Sequence, residues 1–201
     1  MRPEVSIIRC DRYEKEYVKK QLKEVLEKIG FTDAVKPGMK IAIKANLVSF
    51  LNPDKAATTH PVCLAALSDI IREKGAACII GDSPGGLYNS AYVGRIYKAT
   101  GMNETGTELN YDFSQKSTDY PEGIALKNFT YTSYLDNVDM IVNFCKLKTH
   151  GMMGMSCGVK NMFGVIPGTM KPEYHYKYPD HFTFADMLID LNEYFRPAVT
   201  I

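Results

Sequence analysis

The sequence predicts an α/β domain built on a mostly parallel sheet with helices on both faces. Short apolar runs alternate with amphipathic segments through the first hundred residues. The segments between the runs are long enough to form helices that cross over between parallel strands. The 201 residues, of which 45% are hydrophobic and 23% charged, suit one domain with one core over residues 1–201. We therefore expect one α/β domain rather than a series of small modules.

The first half of the chain contains three predicted strands and three predicted helices in alternation. The strand candidates are short, apolar and rich in β-branched residues, whereas the helix candidates repeat apolar residues at helical spacing. Gly30 and Gly75 are placed to end the first two helices, and Pro61 suits a first helical position. The predicted strands are Val5–Cys10, Lys40–Ala45 and Ala76–Ile80, the last near the centre of the sheet, and the predicted helices cover residues 11–29, 61–74 and 90–100.

The second half is less regular. The polar segment Tyr111–Pro121 predicts a surface loop, and Ile124–Thr130 predicts a strand at an edge or in a hairpin. Val138–Cys145 has the composition of a buried strand, and a helix is expected over Phe182–Phe195. Ala198–Ile201 is predicted to form the first residues of a further strand. We therefore expect the front part of a longer domain, with a C-terminal strand open to pairing in a homo-oligomer.

Composition and charge exclude several classes of protein. The net charge of +1, from 24 Lys and Arg against 23 Asp and Glu, provides no general field for nucleic acid. No run approaches 18 apolar residues, and the N-terminus lacks the pattern of a signal peptide, so a cytoplasmic protein without a membrane span is expected. The five cysteines are scattered without a C-x-x-C pair, which predicts reduced thiols and no iron–sulfur or zinc site in this chain.

Polar side chains follow three of the predicted strands where each strand ends. Because ligands of open parallel sheets bind outside the carboxyl ends of the strands, we expect these side chains to surround one cleft. Lys146, Lys148 and His150 alternate, so an extended backbone directs them to one side, where they suit a carboxylate or a phosphate. The candidate ligand-binding residues at these strand ends are Lys44, Asn46, Asp82, Ser83, Asn143, Lys146 and Lys148.

Each of these signals also has a structural interpretation. The segment Gly81–Gly86 is neither a P-loop nor a dinucleotide fingerprint, and it can be a simple turn between a strand and a helix. The lysines after the last strand can be an ordinary solvated edge. Thr59 is the predicted N-cap of the helix that begins at Pro61, whereas His60 stays a candidate ligand-binding residue.

The segment 158–168 places Lys160 and Asn161 among apolar residues bracketed by glycines. Burial lowers the pKa of a lysine, so Lys160 is a candidate nucleophile, and Asn161 a candidate ligand-binding residue. His175 is a candidate acid, base or metal ligand in the same cleft, and His150 a second acid or base. The alternative is an amphipathic helix with Lys160 on its solvated face. The nearby methionines are interpreted as core filler.

Five short segments, which include Gly81–Gly86 and Gly158–Gly164, resemble the domain of unknown function 362 family. Many members of that family are labelled iron–sulfur proteins because they carry a ferredoxin-like module, whose cysteine motifs this chain lacks. The resemblance covers the front two thirds of the family domain and implies an α/β fold. The segments are Lys44–Leu47, Thr59–Pro61, Gly81–Gly86, Lys146–His150 and Gly158–Gly164.

The stretch from Lys148 to His175 is also similar in layout to lactate racemases, which use a nickel-pincer nucleotide. That resemblance implies a lysine joined to the cofactor at Lys160, then Pro-Gly, then a nickel ligand at His175. The paired catalytic histidines of those enzymes have no clear counterpart beyond His60 and His150.

The sequence supports three hypotheses about function. The first is an enzyme, or part of one, that binds a small anionic ligand through Lys146, Lys148 and Lys160, with His150 or His175 as acid–base group. The second is a non-catalytic partner or scaffold of an iron–sulfur protein that docks through the basic segment 146–180. The third is a lactate racemase-like isomerase with a nickel-pincer cofactor. The sequence leaves the substrate, the reaction and the cofactor open.

Overall fold

The computed structural model describes residues 4–201 and is centred on a five-stranded parallel sheet. Two antiparallel hairpins accompany the sheet. The strands are β1 (Lys40–Lys44), β2 (Ala77–Gly81), β3 (Glu108–Leu109), β4 (Gln115–Asp119), β5 (Asn128–Thr132), β6 (Met140–Asn143), β7 (Lys148–His150), β8 (Gly154–Ser156) and β9 (Val199–Thr200). The sheet order is β3-β2-β1-β6-β9, and the hairpins are β4–β5 and β7–β8.

Helices cover both faces of the sheet, as the sequence predicts. The helices are α1 (Lys15–Lys28), α2 (Phe31–Ala34), α3 (Pro61–Glu73), α4 (Ser90–Ala99), α5 (Gly158–Asn161), α6 (Lys171–Lys177) and α7 (His181–Phe195). Gly30 follows α1 with a φ of 72°, a conformation that glycine adopts without steric cost. His60, rather than the expected Thr59, caps α3, because its imidazole accepts the Val62 N–H.

Alternate residues of the central strands pack into two separate apolar layers, one on each face of the sheet. Ile41 and Ile43 pack with α1, α3 and α4 on one face, whereas Ala42 packs with α7 and the β4–β5 hairpin on the other. Successive side chains of a strand point to opposite faces, so a strand covered on both sides must be apolar throughout. The α/β prediction is confirmed, with β1 at the centre of the sheet and β2 beside it.

The order of the strands reverses between β1 and β6. From β1 the chain adds β2 and then β3 on one side, and β6 and β9 are added on the other side. In open parallel sheets, a reversal of this kind leaves a crevice at the carboxyl ends of the two adjacent strands. The last residues of β1 and β6, Lys44 and Asn143, are paired in register at this crevice.

Two predicted elements are wrong. Val5–Cys10 forms no strand, and Val5 and Ile7 are 81% and 90% exposed. Its β-branched composition favours an extended backbone, but a strand also requires a neighbour to pair with. Tyr111–Pro121 is not simply a loop, since β4 lies within it and pairs with β5. A hydrogen bond between the hydroxyl groups of Ser117 and Thr130 joins the two strands and stabilises this exposed hairpin.

Asp190, on α7, fixes the segment that leads into β5. This aspartate is 3% exposed, and its carboxylate accepts the backbone N–H groups of three successive residues. The distances are 2.7 Å from Ile124, 2.6 Å from Ala125 and 2.7 Å from Leu126. Backbone donors therefore satisfy this buried carboxylate.

The C-terminal strand β9 lies at one edge of the sheet. Val199 is paired in register with Val142 of β6. Residues 4–201 contain no helix that is both long and apolar enough to cross a membrane. The five cysteines are free thiols, and the sulfurs of Cys145 and Cys157 lie 3.6 Å apart.

Candidate functional site

A buried ion pair forms the floor of the crevice between the strand ends. Lys44 Nζ lies 2.6 Å from Asp82 Oδ1, and the two side chains are 1% and 4% exposed. Asp82 Oδ2 also accepts the Leu47 N–H at 2.8 Å, while Lys44 Nζ donates to the Ala45 carbonyl at 2.7 Å. A charge buried this deeply is tolerated only when it is paired and hydrogen-bonded.

Asn161, the last residue of α5, joins this helix to the floor. Its side-chain oxygen accepts from Asn46 Nδ2 at 2.9 Å and from Lys44 Nζ at 3.2 Å. Its amide nitrogen donates to Asn143 Oδ1 at 2.7 Å and to the Lys44 carbonyl at 3.3 Å. All four hydrogen-bonding positions of the amide are in use, which fixes the orientation of the side chain.

The segment 162–168 closes over the ion pair. Gly164 lies so near Lys44 and Asp82 that a Cβ at this position would overlap both side chains. Its carbonyl accepts the Ser83 N–H at 3.0 Å, and Ser83 Oγ accepts the Gly168 N–H at 2.8 Å. Glycine is therefore required at position 164 for the backbone to approach the floor.

Lysines and histidines from three separate elements form the rim of the cavity. Lys148 and His150 come from β7, Lys160 from α5, and Lys171 and His175 from α6. With the floor residues they enclose a cavity of about 290 Å³. A site assembled from segments so far apart in sequence depends on the whole fold.

The partners of the rim lysines are neutral. Lys148 Nζ donates to Asn46 Oδ1 and to the Ala57 carbonyl, and Lys171 Nζ donates to the Ser83 carbonyl. Lys160 Nζ lies 5.5 Å from the ring centroid of Phe163. Because Lys44 neutralises Asp82, the other three lysines have no carboxylate among the residues that line the cavity.

Burial therefore disfavours the charged forms of the rim side chains. Loss of hydration lowers the pKa of Lys171 to about 7 and the pKa of Lys148 to about 8, and nearby lysines add to both effects. The pKa of Lys160 is lowered by burial and by Lys44. Burial and neighbouring lysines likewise lower the pKa values of His150 and His175, which favours neutral imidazoles at pH 7.

The structure brings most of the sequence-predicted residues to this cavity. Those that line it are Lys44, Asn46, Asp82, Lys148, His150, Lys160, Asn161 and His175. Ser83 and Asn143 are buried beneath the lining and support it through hydrogen bonds. Lys146 and His60 lie outside the lining, where burial, and after it the positive charge of Lys146, lowers the pKa of His60.

Lys171 is the charged lining residue that sequence reasoning missed. It begins a short helix beyond the strand ends, in a stretch whose composition is that of an exposed surface. The available signal was its position three residues after Gly168, which contacts the turn after β2. Gly168 leaves no room for a Cβ against the carbonyls of Pro84 and Gly86, so the start of α6 is held against the site.

The cavity offers few ligands for a metal ion bound by protein alone. Within residues 4–201, no group of three or more His, Cys, Asp or Glu side chains is arranged to hold one. The lining instead combines ammonium groups, imidazoles and amides. Such groups donate hydrogen bonds to anions.

Comparison with known sequences identifies the family. The sequence profile described as a domain of unknown function, DUF362, matches residues 41–201, which include every residue of the floor and rim. The chain belongs to this family. The predicted resemblance is confirmed, and the segments that carry it contribute most of the cavity lining in this DUF362 protein.

Two further proteins are similar to the DUF362 chain. A thylakoid-associated protein of Synechocystis sp. is 28% identical over 205 residues, which cover 98% of the chain and 61% of that relative. The lactate racemase apoprotein of Thermoanaerobacterium thermosaccharolyticum superposes with a TM-score of 0.60 at 13% identity, over 90% of the chain and 48% of the racemase. The chain thus spans less than two thirds of the first protein and about half of the second, and the likeness to the racemase is one of fold.

Proposed function

We propose that this DUF362 protein binds a small anionic ligand, a carboxylate or a phosphate, in the cavity at the carboxyl ends of β1, β2 and β6. The observation that carries the proposal is the charge of the lining. Lys148, Lys160 and Lys171 converge on about 290 Å³ with no carboxylate of their own. Burial destabilises the charged forms of these lysines, and a bound anion would stabilise them again through charge-assisted hydrogen bonds.

The direction of the lysines supports a ligand site rather than a docking surface. Lys148 and Lys160 are half-buried and line the cavity, whereas docking to an iron–sulfur partner requires cations exposed on one outer face. An exposed docking surface also weakens steeply with salt, while an enclosed anion site does so much less. We therefore rank ligand binding above the role of iron–sulfur scaffold.

Calorimetric titration of the 201-residue chain at pH 7 tests the proposal. Inorganic phosphate and propionate serve as separate probes, so that the two anion chemistries are distinguished. We expect Lys148→Ala and Lys160→Ala each to weaken binding of the preferred anion about tenfold, which corresponds to about 1.4 kcal/mol per lysine. Lys146→Ala is the matched control, since Lys146 is also half-buried but does not line the cavity. Equal losses in all three variants, or no binding of either anion, would refute the site.

A lactate racemase-like isomerase is the second candidate. The observation that favours it is that Lys160 on α5 and His175 on α6, which are 15 positions apart in the sequence, line the same cavity. These two residues fit the roles of cofactor-linked lysine and nickel ligand, and a bound nickel-pincer nucleotide would supply a metal centre there. Of the two candidate catalytic histidines, however, His150 lines the cavity and His60 caps α3 outside it. The cavity residues are therefore better suited to binding such a cofactor than to acid–base catalysis by a pair of histidines.

Intact mass and nickel content of protein from its native host test this candidate. A covalent mass increase on the peptide that contains Lys160, with nickel retained in His181→Ala and lost in His175→Ala, is the expected result. His181 is an exposed histidine at the start of α7 and provides the control. Unmodified Lys160 peptide without nickel would leave anion binding as the proposed function.

A further inference from the structure

The four cavity lysines differ in what holds their amine groups. Burial lowers the pKa of Lys44, and its pair with Asp82 at 2.6 Å opposes that shift. Lys148 donates to two oxygens, and Lys160 lies over the rings of Phe163 and Phe184 at 5.5 and 5.8 Å. Lys171 has one hydrogen-bond acceptor, the neutral carbonyl of Ser83, and a ring contact with Phe163 at 5.2 Å.

A neutral amine satisfies the one hydrogen-bond acceptor of Lys171 as well as an ammonium does. One N–H suffices for the Ser83 carbonyl, which leaves the nitrogen lone pair available. Burial is the largest cause that opposes protonation of Lys171, and the charges of Lys44 and Lys160 add to it, so that together they outweigh the attraction of Asp82. A lysine beside other cations in a desolvated cavity is an activated nucleophile for carbonyl compounds.

From this arrangement we infer that Lys171 is a Schiff-base lysine and that the ligand of the cavity is a small carboxylic acid that also carries an aldehyde or ketone group. The inference rests on the proposed anion site and extends it. Lys148 and Lys160 hold the carboxylate, and the carbonyl carbon meets Lys171 Nζ.

Formation of the imine between Lys171 and the carbonyl carbon requires no oxidant, reductant or additional reactant. The Lys171 lone pair forms a C–N bond with the carbonyl carbon as the C=O π bond breaks. Both amine protons pass to the oxygen, which leaves as water, and one proton taken up from solvent gives the protonated imine. His150 and His175 line the cavity, and their imidazoles can carry these protons.

Trapping with sodium cyanoborohydride tests the inference, with pyruvate as the probe and propionate as the carboxylate that lacks a carbonyl. We expect pyruvate and reductant to add to the chain the mass of pyruvic acid less one oxygen atom, and peptide mapping to locate the adduct on Lys171. Lys171→Met should lose the adduct, and Lys146→Met should keep it. Circular dichroism checks that the variants are folded, and mapping on the wild-type chain needs no variant at all.

Two results would overturn the inference. One is an adduct spread evenly over exposed lysines, and the other is an adduct on Lys160 rather than Lys171. A calorimetric titration with propionate separates this failure from failure of the anion site. If propionate binds and pyruvate gives no adduct, the anion site stands and the Schiff-base role of Lys171 is wrong.

Discussion

Two buried aspartates, Asp82 and Asp190, are satisfied in opposite ways on the two sides of this molecule. Asp190 is held by three backbone N–H groups at 2.6–2.7 Å and serves to fix the chain before β5. Asp82 has one backbone donor at 2.8 Å and relies on Lys44 at 2.6 Å for the rest. Backbone donors are permanent, whereas a lysine can exchange its proton or its partner. Asp190 is therefore fixed by the backbone, whereas the state of Asp82 depends on a single side chain, Lys44.

Breaking the Lys44–Asp82 pair is the strongest test of this contrast. Asp82→Asn leaves a buried lysine without its counter-charge, so we expect the free energy of unfolding to fall by about 3–5 kcal/mol. The measurement is urea denaturation at pH 7. The double variant Lys44→Met/Asp82→Leu should recover most of the loss, because replacing both charges removes the cost of burying them. A double variant no more stable than Asp82→Asn would show that the pair does not act as a unit.

Asp190→Asn should have the next largest effect. The asparagine amide would face backbone N–H groups that need an acceptor, so at least one of the three hydrogen bonds is lost. We expect a loss of about 2–3 kcal/mol, typical of a hydrogen bond to a charged group. Anion binding in the cavity should be unchanged, because Asp190 does not line it. An equal loss of stability and of anion affinity would mean that the two sides are coupled.

The pH dependence of stability should be smaller and confined to the Asp82 side. Lys171 and Lys148 have pKa values of about 7 and about 8 in the folded protein, below the ordinary 10.5. The unfolded chain therefore binds more protons, and the free energy of unfolding rises with pH. Between pH 6.5 and 8 we expect a gain of about 1 kcal/mol, discounted for partial exposure of both lysines.

Lys171→Met provides the control for that titration. Urea denaturation of this variant should show most of the gain removed, whereas Lys146→Met should keep it. Saturating phosphate should also flatten the curve, because a bound anion favours the charged lysines. If the gain persists unchanged in Lys171→Met, titration of Lys171 is not its source.

The sequence predicts the cavity floor better than the rim. Lys44 and Asp82 follow buried strands of clear composition, and parallel strands bring their carboxyl ends to one edge. The rim is set by short turns and helices of four to seven residues, whose directions depend on tertiary contacts. Lys146 illustrates this, since strict alternation would direct it with Lys148, yet it precedes β7 and does not line the cavity.

The anchoring role of Asp190 also lies beyond what the sequence predicts. On α7 the residue looks like part of an ordinary polar helix face, because its partners are backbone groups more than 60 positions away. Val5–Cys10 shows the opposite error, since composition alone favoured a strand that has no neighbour. Local patterns predict which segments are extended or helical, and long-range partners decide which of them pair.

The saturated amide of Asn161 has a consequence for the thermodynamics of ligand binding. With all four of its hydrogen-bonding positions occupied, Asn161 has little rotamer freedom left to lose when a ligand binds. The entropy given up on binding therefore comes from the long side chains of the rim, at about 1.5–2 kcal/mol for each lysine that becomes fixed. Lys148 and Lys171 already hold protein acceptors, so Lys160 has the most freedom to lose. Ordering of Lys160 is therefore the largest entropic cost that a ligand meets among the rim lysines.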